Sequence, residues 1–242
     1  MIKGMLTSTQ GMKFLMRKQE QVSNNLANAN TTGYKKARLF QRTYIDFINN
    51  DLQEPFMNDD VSIDEVGIDF SQGSLVKTGN SLDLALKSDG FFTVAGQGEE
   101  LYTRNGCFKL NSENFIVDSE GRYVMGENGP MRIDGDHMEV HRDGKLYVDG
   151  SYLDTLKVSV FDKPYQLKKT GDSLYRVYGD AMPGKAAVFD VRQGFLESSN
   201  IKPVEEMVKM MAAFRNYEAD QKAIQAQDQT LDKAVNQVGT VR

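Results

Sequence analysis

Apolar residues recur in steps of three and four near both ends of the chain. Near the N-terminus the repeating positions are Met5, Ser8, Met12, Leu15, Gln19, Val22 and Leu26. Near the C-terminus they are Met207, Met210, Phe214, Tyr217, Gln221, Ile224, Asp228, Leu231, Val235 and Val238. Positions with this spacing share one face of an α-helix, and a face this narrow is typical of a coiled-coil seam. The pattern therefore predicts a helix at each end.

Local signals place the ends of both helices. We expect the first helix to end near Asn28, because the polar residues that follow favour a turn and Gly33 can adopt the positive φ of a C-terminal cap. Asn200 is suited to cap the second helix, and Glu205 and Glu206 suit the positive end of its dipole. As one helix, residues 203–238 would be about 54 Å long.

Two interpretations of the seams are open. The two seams can pack against each other inside one globule, or they can pack against helices of other chains on assembly. The residues beside the seams are rich in Gln, Asn, Lys and Ala, as expected for a helix that gains its partners on assembly. We therefore favour assembly.

The period changes to two in the middle of the chain. Leu82, Leu84 and Leu86 alternate with Asp83, Ala85 and Lys87, and short apolar runs recur between turns. Six Asx-Gly pairs, which suit tight hairpins, begin at Asp89, Asn105, Asn128, Asp134, Asp143 and Asp149. The fold class predicted is a mainly β middle domain, antiparallel and hairpin-rich, flanked by terminal helices that form a coiled-coil region on assembly.

This pattern divides the chain into four segments. Residues 1–34 form an assembly helix with a turn, 35–69 an extended linker or arm, 70–195 the β-rich core domain, and 196–242 the second assembly helix.

Composition narrows the functional classes. The net charge of −5 combines +6 in residues 1–50 with −11 in the rest, and such an acidic body would repel phosphates, so we expect no nucleic-acid partner. No run of about 18 apolar residues is present, so we expect no membrane insertion. The first residues also lack the apolar stretch of a cleaved signal peptide.

Candidate catalytic and metal-binding residues are few. His137 and His141 would lie about 13 Å apart in a strand, too far to share one metal ion without a bend. Cys107 is the single cysteine. We therefore expect no catalytic residue, no metal and no cofactor. A paired-carboxylate glycosidase or a carbohydrate-binding domain stays open as an alternative of a different class.

Four segments together resemble one protein family. They read SNNLANANTTGYK (23–35), TGNSLDLALKSDGFFTV (78–94), LYTRNGCFKL (101–110) and QGFLESSNIKPVEEM (193–207). The chain resembles the flagellar basal-body rod and hook proteins over its whole length. The first segment is the family's N-terminal signature, to which we assign Asn24, Asn25, Leu26, Asn28, Asn30, Thr31 and Gly33.

The resemblance implies a structural role in bacterial motility. Members are axial proteins of the flagellum, exported by its type III apparatus and stacked helically, with the terminal helices forming an inner coiled-coil tube. We accordingly expect a non-enzymatic, self-assembling subunit of the periplasm-spanning rod, which partners itself and other axial proteins and transmits torque to the hook. The seam would comprise Met5, Met12, Leu15, Val22, Met207, Met210, Phe214, Tyr217, Ile224, Leu231 and Val235.

The resemblance is closest to the proximal rod type. The segment 198–205 matches that type, and the stretch from Gly33 to Gln72 is short for the distal rod type, which stays the alternative. The signature asparagines can fix the turn and its register between subunits, because each amide both donates and accepts. They can equally form a simple polar helix end, because asparagine tolerates the left-handed conformation.

Overall fold

The structure, a computed structural model, describes residues 2–41, 64–96, 98–163, 165–171, 173–179, 182–185 and 189–238. The chain divides into two compact units. The helix unit comprises residues 1–27, 36–69 and 201–242, and the β unit comprises residues 28–35 and 70–200.

The helix unit contains two helices and one two-stranded ribbon among its described residues. The helices are α1 (Ile2–Ala27) and α2 (Pro203–Val238). The strands β1 (Ala37–Gln41) and β2 (Asp64–Ile68) pair antiparallel, and β1 also contacts α1. No helix in the described ranges is long and apolar enough to cross a bilayer.

The two helices pack against each other in antiparallel orientation. Near the end of α1, Asn25 lies 3.4 Å from Glu206 at the start of α2. Fourteen residues earlier in α1, a Cβ added to Gly11 would lie 3.3 Å from a carboxylate oxygen of Asp220. At 1.5 Å per residue, α1 is about 39 Å long and α2 about 54 Å.

The β unit is built from short strands whose recorded pairings are all antiparallel. In the described residues they are β3 (Leu75–Lys77), β4 (Leu84–Leu86), β5 (Phe91–Gly96), β6 (Glu99–Thr103), β7 (Lys109–Leu110), β8 (Ile116–Val117), β9 (Tyr123–Val124), β10 (Met138–Val140), β11 (Lys145–Val148), β12 (Ser151–Thr155), β13 (Val158–Val160), β14 (Leu167–Gly171), β15 (Leu174–Val177), β16 (Gly184–Lys185), β17 (Val191–Gln193) and β18 (Phe195–Glu197). The predicted fold class, helices at both ends of a mainly antiparallel β region, is confirmed.

The largest sheet has the strand order β14-β15-β6-β5-β9-β8-β7, with β13 pairing to both β5 and β16. A second sheet has the order β10-β11-β12, and β17-β4 and β18-β3 form two further ribbons. Asp149 and Gly150, with φ of 49° and 81°, form the two-residue turn between β11 and β12, as their sequence predicts.

Aliphatic and aromatic side chains from both larger sheets and the β17-β4 ribbon form the core of the β unit. The rings of Phe92 and Phe108 pack edge to face at 5.4 Å, and Thr93 and Ser159 share a hydrogen bond of 2.9 Å inside this unit. The β unit thus contains an extensive apolar core of its own.

Candidate assembly site

The turn of the signature segment is held by its own side chains. The Thr31 hydroxyl donates to the Asn28 side-chain oxygen at 3.3 Å, and the Thr31 amide donates to the Asn28 carbonyl at 3.1 Å. The side chain of Asn30 is exposed at the surface. This part of the signature therefore forms a local cap, and Asn28 is the residue that closes it.

Gly33 occupies a position that requires glycine. Its φ is +67°, and its amide donates to the Glu197 carbonyl oxygen at 2.8 Å. A Cβ at this residue would lie 2.3 Å from the Asn105 nitrogen and 2.5 Å from the Arg104 carbonyl carbon. Both the conformation and the close approach to main chain exclude a side chain here.

A buried ion cluster in the β unit includes Lys35, two residues after this glycine, together with Arg104 and Glu197. Lys35 contacts one carboxylate oxygen of Glu197 at 2.5 Å, and Arg104 lies 3.4 Å from the other. The Gly73 amide donates to Glu197 at 2.9 Å, and Lys35 also donates to the Ser71 carbonyl at 2.8 Å. These contacts join the signature turn to residues far away in the sequence and compensate the burial of the carboxylate.

Asn25 has a different role in the helix unit. Its side-chain amide donates to the Ala37 carbonyl at 2.8 Å and accepts from the Ala37 amide at 3.2 Å. The side chain therefore bonds to the start of β1 as a neighbouring strand would. Asn25 is only 1% exposed, so these bonds are shielded from water.

Glu206 completes this second cluster at the start of α2. Its carboxylate lies 2.6 Å from Lys36 and 2.9 Å from Lys209, and it accepts from Asn25 at 3.4 Å. Burial by itself raises the pKa of the Glu206 carboxyl, but the hydrogen bonds from Lys36, Lys209 and Asn25 outweigh burial and hold its pKa below the ordinary value. The carboxylate is therefore ionised at neutral pH and fixes the first turn of α2 against β1 and the end of α1.

The predicted seam residues fall on two different faces of the helices. In α1, Val22 is buried and Met12 and Leu15 are half-buried. In α2, the half-buried predicted residues are Met210, Tyr217, Ile224 and Leu231. We call these surfaces the inner faces; the inner face of α2 also contains Glu206, Ala213, Asp220 and Gln227.

Met207 and Phe214 lie outside the inner face and are 49% and 50% exposed. They belong to a separate apolar surface, the outer stripe, which consists of Val204, Met207, Val208, Met211 and Phe214. The side chains of Met5 and Val235 lie outside the described part of the structure. The single predicted seam of α2 is thus divided into an inner face and an outer stripe.

Two signature residues have modest burial. Asn24 is exposed and Leu26 is half-buried near the end of α1. Asn24 shares one face of α1 with Met16, Glu20, Ser23 and Ala27, and all five side chains are exposed.

The ionic partners of the signature are not apparent from the sequence pattern. From the sequence, Glu206 is expected only to suit the positive end of the α2 dipole, and no role is predicted for Lys36 or Glu197. One signal was available: Glu206 stands four positions before Met210 and seven before Ala213, in the repeat of the inner face. A charged residue in the register of a buried face requires a partner of opposite charge, because an unpaired buried charge is costly.

The residues considered for catalysis lie elsewhere, in the β unit. His141 contacts Glu139 at 3.5 Å and stacks on Tyr147 with a centroid distance of 4.6 Å, and His137 is exposed before β10. Burial and then the Asp83 carboxylate raise the pKa of the Cys107 thiol, so it is a weak nucleophile. Within the described ranges, no three His, Cys, Asp or Glu residues are grouped as metal ligands.

Three sequence families match the chain. The family described as flagella basal body rod protein matches residues 5–35, and the flagellar hook protein FlgE/F/G D1 domain matches residues 85–148. The flagellar basal body rod FlgEFG protein C-terminal family matches residues 192–238. The matches thus include both helices and part of the β unit.

Individual proteins match over nearly their whole length. The flagellar basal-body rod protein FlgF of Caulobacter vibrioides is 33% identical, with 94% of each chain covered. The flagellar basal-body rod protein FlgG of Borreliella burgdorferi is 30% identical, with 98% of each covered. The flagellar hook-basal body complex protein FlhO of Bacillus subtilis is 28% identical over 100% of both.

Proposed function

This chain belongs to the family of flagellar basal-body rod proteins, and from that membership we propose that it is a structural subunit of the proximal rod. It polymerises through its terminal helices, together with other axial proteins, into the shaft that passes torque from the motor to the hook. The flagellar export apparatus delivers it without cleavage of a signal peptide. It has no catalytic role.

The outer stripe of α2 is the observation that carries this proposal. Its five large apolar side chains lie within about three helical turns and are between 49% and 73% exposed, which is unusual for the surface of a monomer. Single exposed apolar residues are common, but a contiguous set indicates a surface that another protein covers. The inner face is already occupied by α1, so the outer stripe is available for assembly.

A pair of neighbouring substitutions tests this role. Phe214→Asp places a carboxylate on the half-exposed outer stripe, so the isolated chain should keep its circular dichroism spectrum and melting temperature. In the assembled rod the same charge is buried without a partner in every subunit, which costs several kcal/mol. We expect loss of incorporation into basal bodies and loss of swimming.

Ala213→Asp is the matched contrast, because Ala213 is 2% exposed on the inner face. In the isolated chain, this substitution should lower the free energy of unfolding of the helix unit by several kcal/mol. Lys222→Ala, at an exposed site beyond the stripe, should be tolerated in both assays. If Phe214→Asp destabilises the isolated chain as Ala213→Asp does, or still supports complete rods, the proposal fails.

The proximal position is tested in a strain that lacks the gene. The segment 198–205 and the short stretch from Gly33 to Gln72 favour the proximal type. Electron microscopy of basal bodies from this strain should show assembly stopping within the proximal rod. A finished proximal rod that lacks only the distal part would instead assign the chain to the distal rod.

A further inference from the structure

Three buried polar side chains lie along the neighbouring strands β6 and β15 of the β unit. Arg104 directly follows β6, Ser173 directly precedes β15, and Tyr175 lies within β15; each is at most 4% exposed. The Arg104 Nε–H and the hydroxyls of Ser173 and Tyr175 donate to no acceptor among the described residues. A buried donor without a partner is costly, so these three groups indicate a bound acceptor that is not part of the protein.

The strand register brings Ser173 level with Arg104. Leu174, at the start of β15, pairs with Thr103, at the end of β6. Ser173 and Arg104 are the next residues outward from this pair. The Thr103 hydroxyl also donates to the Ser173 carbonyl at 2.9 Å, which fixes this end of the two strands.

Tyr175 and Arg104 both pack against the ring of Phe91. The Tyr175 ring centroid lies 5.8 Å from that of Phe91, and the guanidinium carbon of Arg104 lies 5.2 Å from it. Burial is the main cause that raises the pKa of the Tyr175 hydroxyl, and the charge of Arg104 acts in the opposite direction. The hydroxyl is therefore protonated at neutral pH, and it lies close enough to the guanidinium to respond to its charge.

The positive charge of Arg104 is weakly compensated. Its Nη1 lies 3.4 Å from one oxygen of Glu197, whereas Lys35 contacts the other oxygen at 2.5 Å. A buried cation with one long ion pair still favours a further negative charge beside it. A small anion suits this place better than water, because it can accept from all three donors and brings no protons that need acceptors of their own.

We propose that the β unit binds one small monovalent anion of the halide class, held by Arg104, Ser173 and Tyr175. We call this place the anion site. It is independent of the proposed role in the rod. A ligand that binds only the folded chain stabilises it by an amount that rises with the logarithm of the ligand concentration. The stability of the β unit should therefore depend on the chloride around it.

Thermal melting of the full chain at constant ionic strength tests the anion site. Sodium chloride replaces sodium gluconate, whose anion is too large for a buried site, and near-ultraviolet circular dichroism follows the tyrosines of the β unit. Once chloride exceeds its dissociation constant, a tenfold increase should raise the melting temperature by about 3–6 °C. An unchanged melting temperature over this range would overturn the proposal.

Ser173→Ala removes one donor of the site. In gluconate this variant should melt at or above the temperature of the unsubstituted chain, because a buried hydroxyl without a partner has been removed. In chloride the order should reverse, because the anion has lost a donor. Tyr175→Phe should show the same reversal.

Ser159→Ala is the matched control. Ser159 is also buried in the β unit, but its hydroxyl shares a hydrogen bond of 2.9 Å with Thr93. This variant should melt lower in both salts and keep the full response to chloride. If Ser173→Ala responds to chloride as strongly as Ser159→Ala does, chloride acts as a general salt and the anion site does not exist.

Crystals of the full chain grown in sodium bromide locate the anion directly, because bromide scatters anomalously. We expect an anomalous peak within hydrogen-bond distance of the Arg104 Nε. Water at this place, or bromide bound only elsewhere on the chain, would refute the site.

Discussion

The packing of the β unit depends on the backbone conformation of one residue, Gly33. A side chain here would require an unfavourable left-handed backbone, at a cost of about 1–2 kcal/mol. It would also press into the main chain at Arg104 and Asn105. The β unit can relieve that overlap only by moving main chain.

Gly33→Ala should therefore lower the melting temperature of the β unit. Near-ultraviolet circular dichroism of the tyrosines in this unit measures the change. Gly79→Ala is the matched control, because Gly79 has a φ of +78° but no atom within 4 Å of an added Cβ. The control should show the conformational cost alone. Equal losses from both substitutions would contradict the steric argument.

Glu206 makes the helix unit sensitive to acid. Its pKa is depressed in the folded chain, so its stabilising effect is complete above the unfolded pKa of about 4.3 and is lost as pH falls through the folded value. Glu206→Gln should destabilise the helix unit at pH 7 by about 3–5 kcal/mol, because two lysines lose their buried counter-ion.

The difference between Glu206→Gln and the unsubstituted chain should shrink as pH falls below about 4. Denaturant titrations followed by helical circular dichroism at several pH values measure it. Glu205→Gln is the control, since Glu205 pairs with Lys202 on the exposed surface and should have little effect at any pH. A difference that stays constant from pH 7 to pH 3 would contradict the ionic role of Glu206.

At the scale of elements, the two units differ in how much they bury. The β unit has a large cluster of fully buried apolar residues. Among the described residues of α1 and α2, only Val22, Asn25, Glu206 and Ala213 are buried, and two of these are polar. An isolated helix pair with so small a core is held weakly.

Heating the isolated chain should therefore remove helical signal before the β unit melts. Limited proteolysis should likewise leave a β-rich fragment near residues 70–195. Circular dichroism at 222 nm and mass spectrometry of the fragments measure the two outcomes. Helices that resist protease as long as the β unit does would show that the inner faces alone stabilise them.

The helices were predictable because their repeat runs over many turns. The face of α2 that packs against α1 was harder to assign. Met207 is more hydrophobic than its neighbour Glu206, and Phe214 is more hydrophobic than its neighbour Ala213, so a hydrophobic pattern selects the first residue of each pair. The structure places Glu206 inside because lysines neutralise it, and Ala213 inside because a small side chain permits close approach. Neither reason is visible in a pattern of apolar residues.

The strands show a similar limit. Several have only two or three residues, too few for alternation to show, and β18 pairs with β3 across more than a hundred residues. Turn chemistry was the better guide, as at Asp149 and Gly150. For the candidate site, the resemblance supplied Asn25 and Gly33, but their contacts with Ala37 and Glu197 depend on the fold.

At the scale of the whole molecule, the chain is proposed to act through its surfaces alone. Changing His137, His141 and Cys107 together to Ala should leave swimming in soft agar nearly unchanged, because exposed or unreactive side chains contribute little to the fold. The amount of folded, exported chain serves as the control. Loss of motility with normal export would reveal a chemical role for one of the three.

The unequal lengths of α1 and α2 give the helix unit two unlike ends. The end at Asn25 and Glu206 is flush, but at the other end Ile2 lies level with about Gln229, because the helices run in opposite directions. The backbone of α2 continues for about nine more residues, or roughly 13 Å, with no described segment of α1 beside it. A stack of such units has a head and a tail, so growth at one tip is a different reaction from growth at the other.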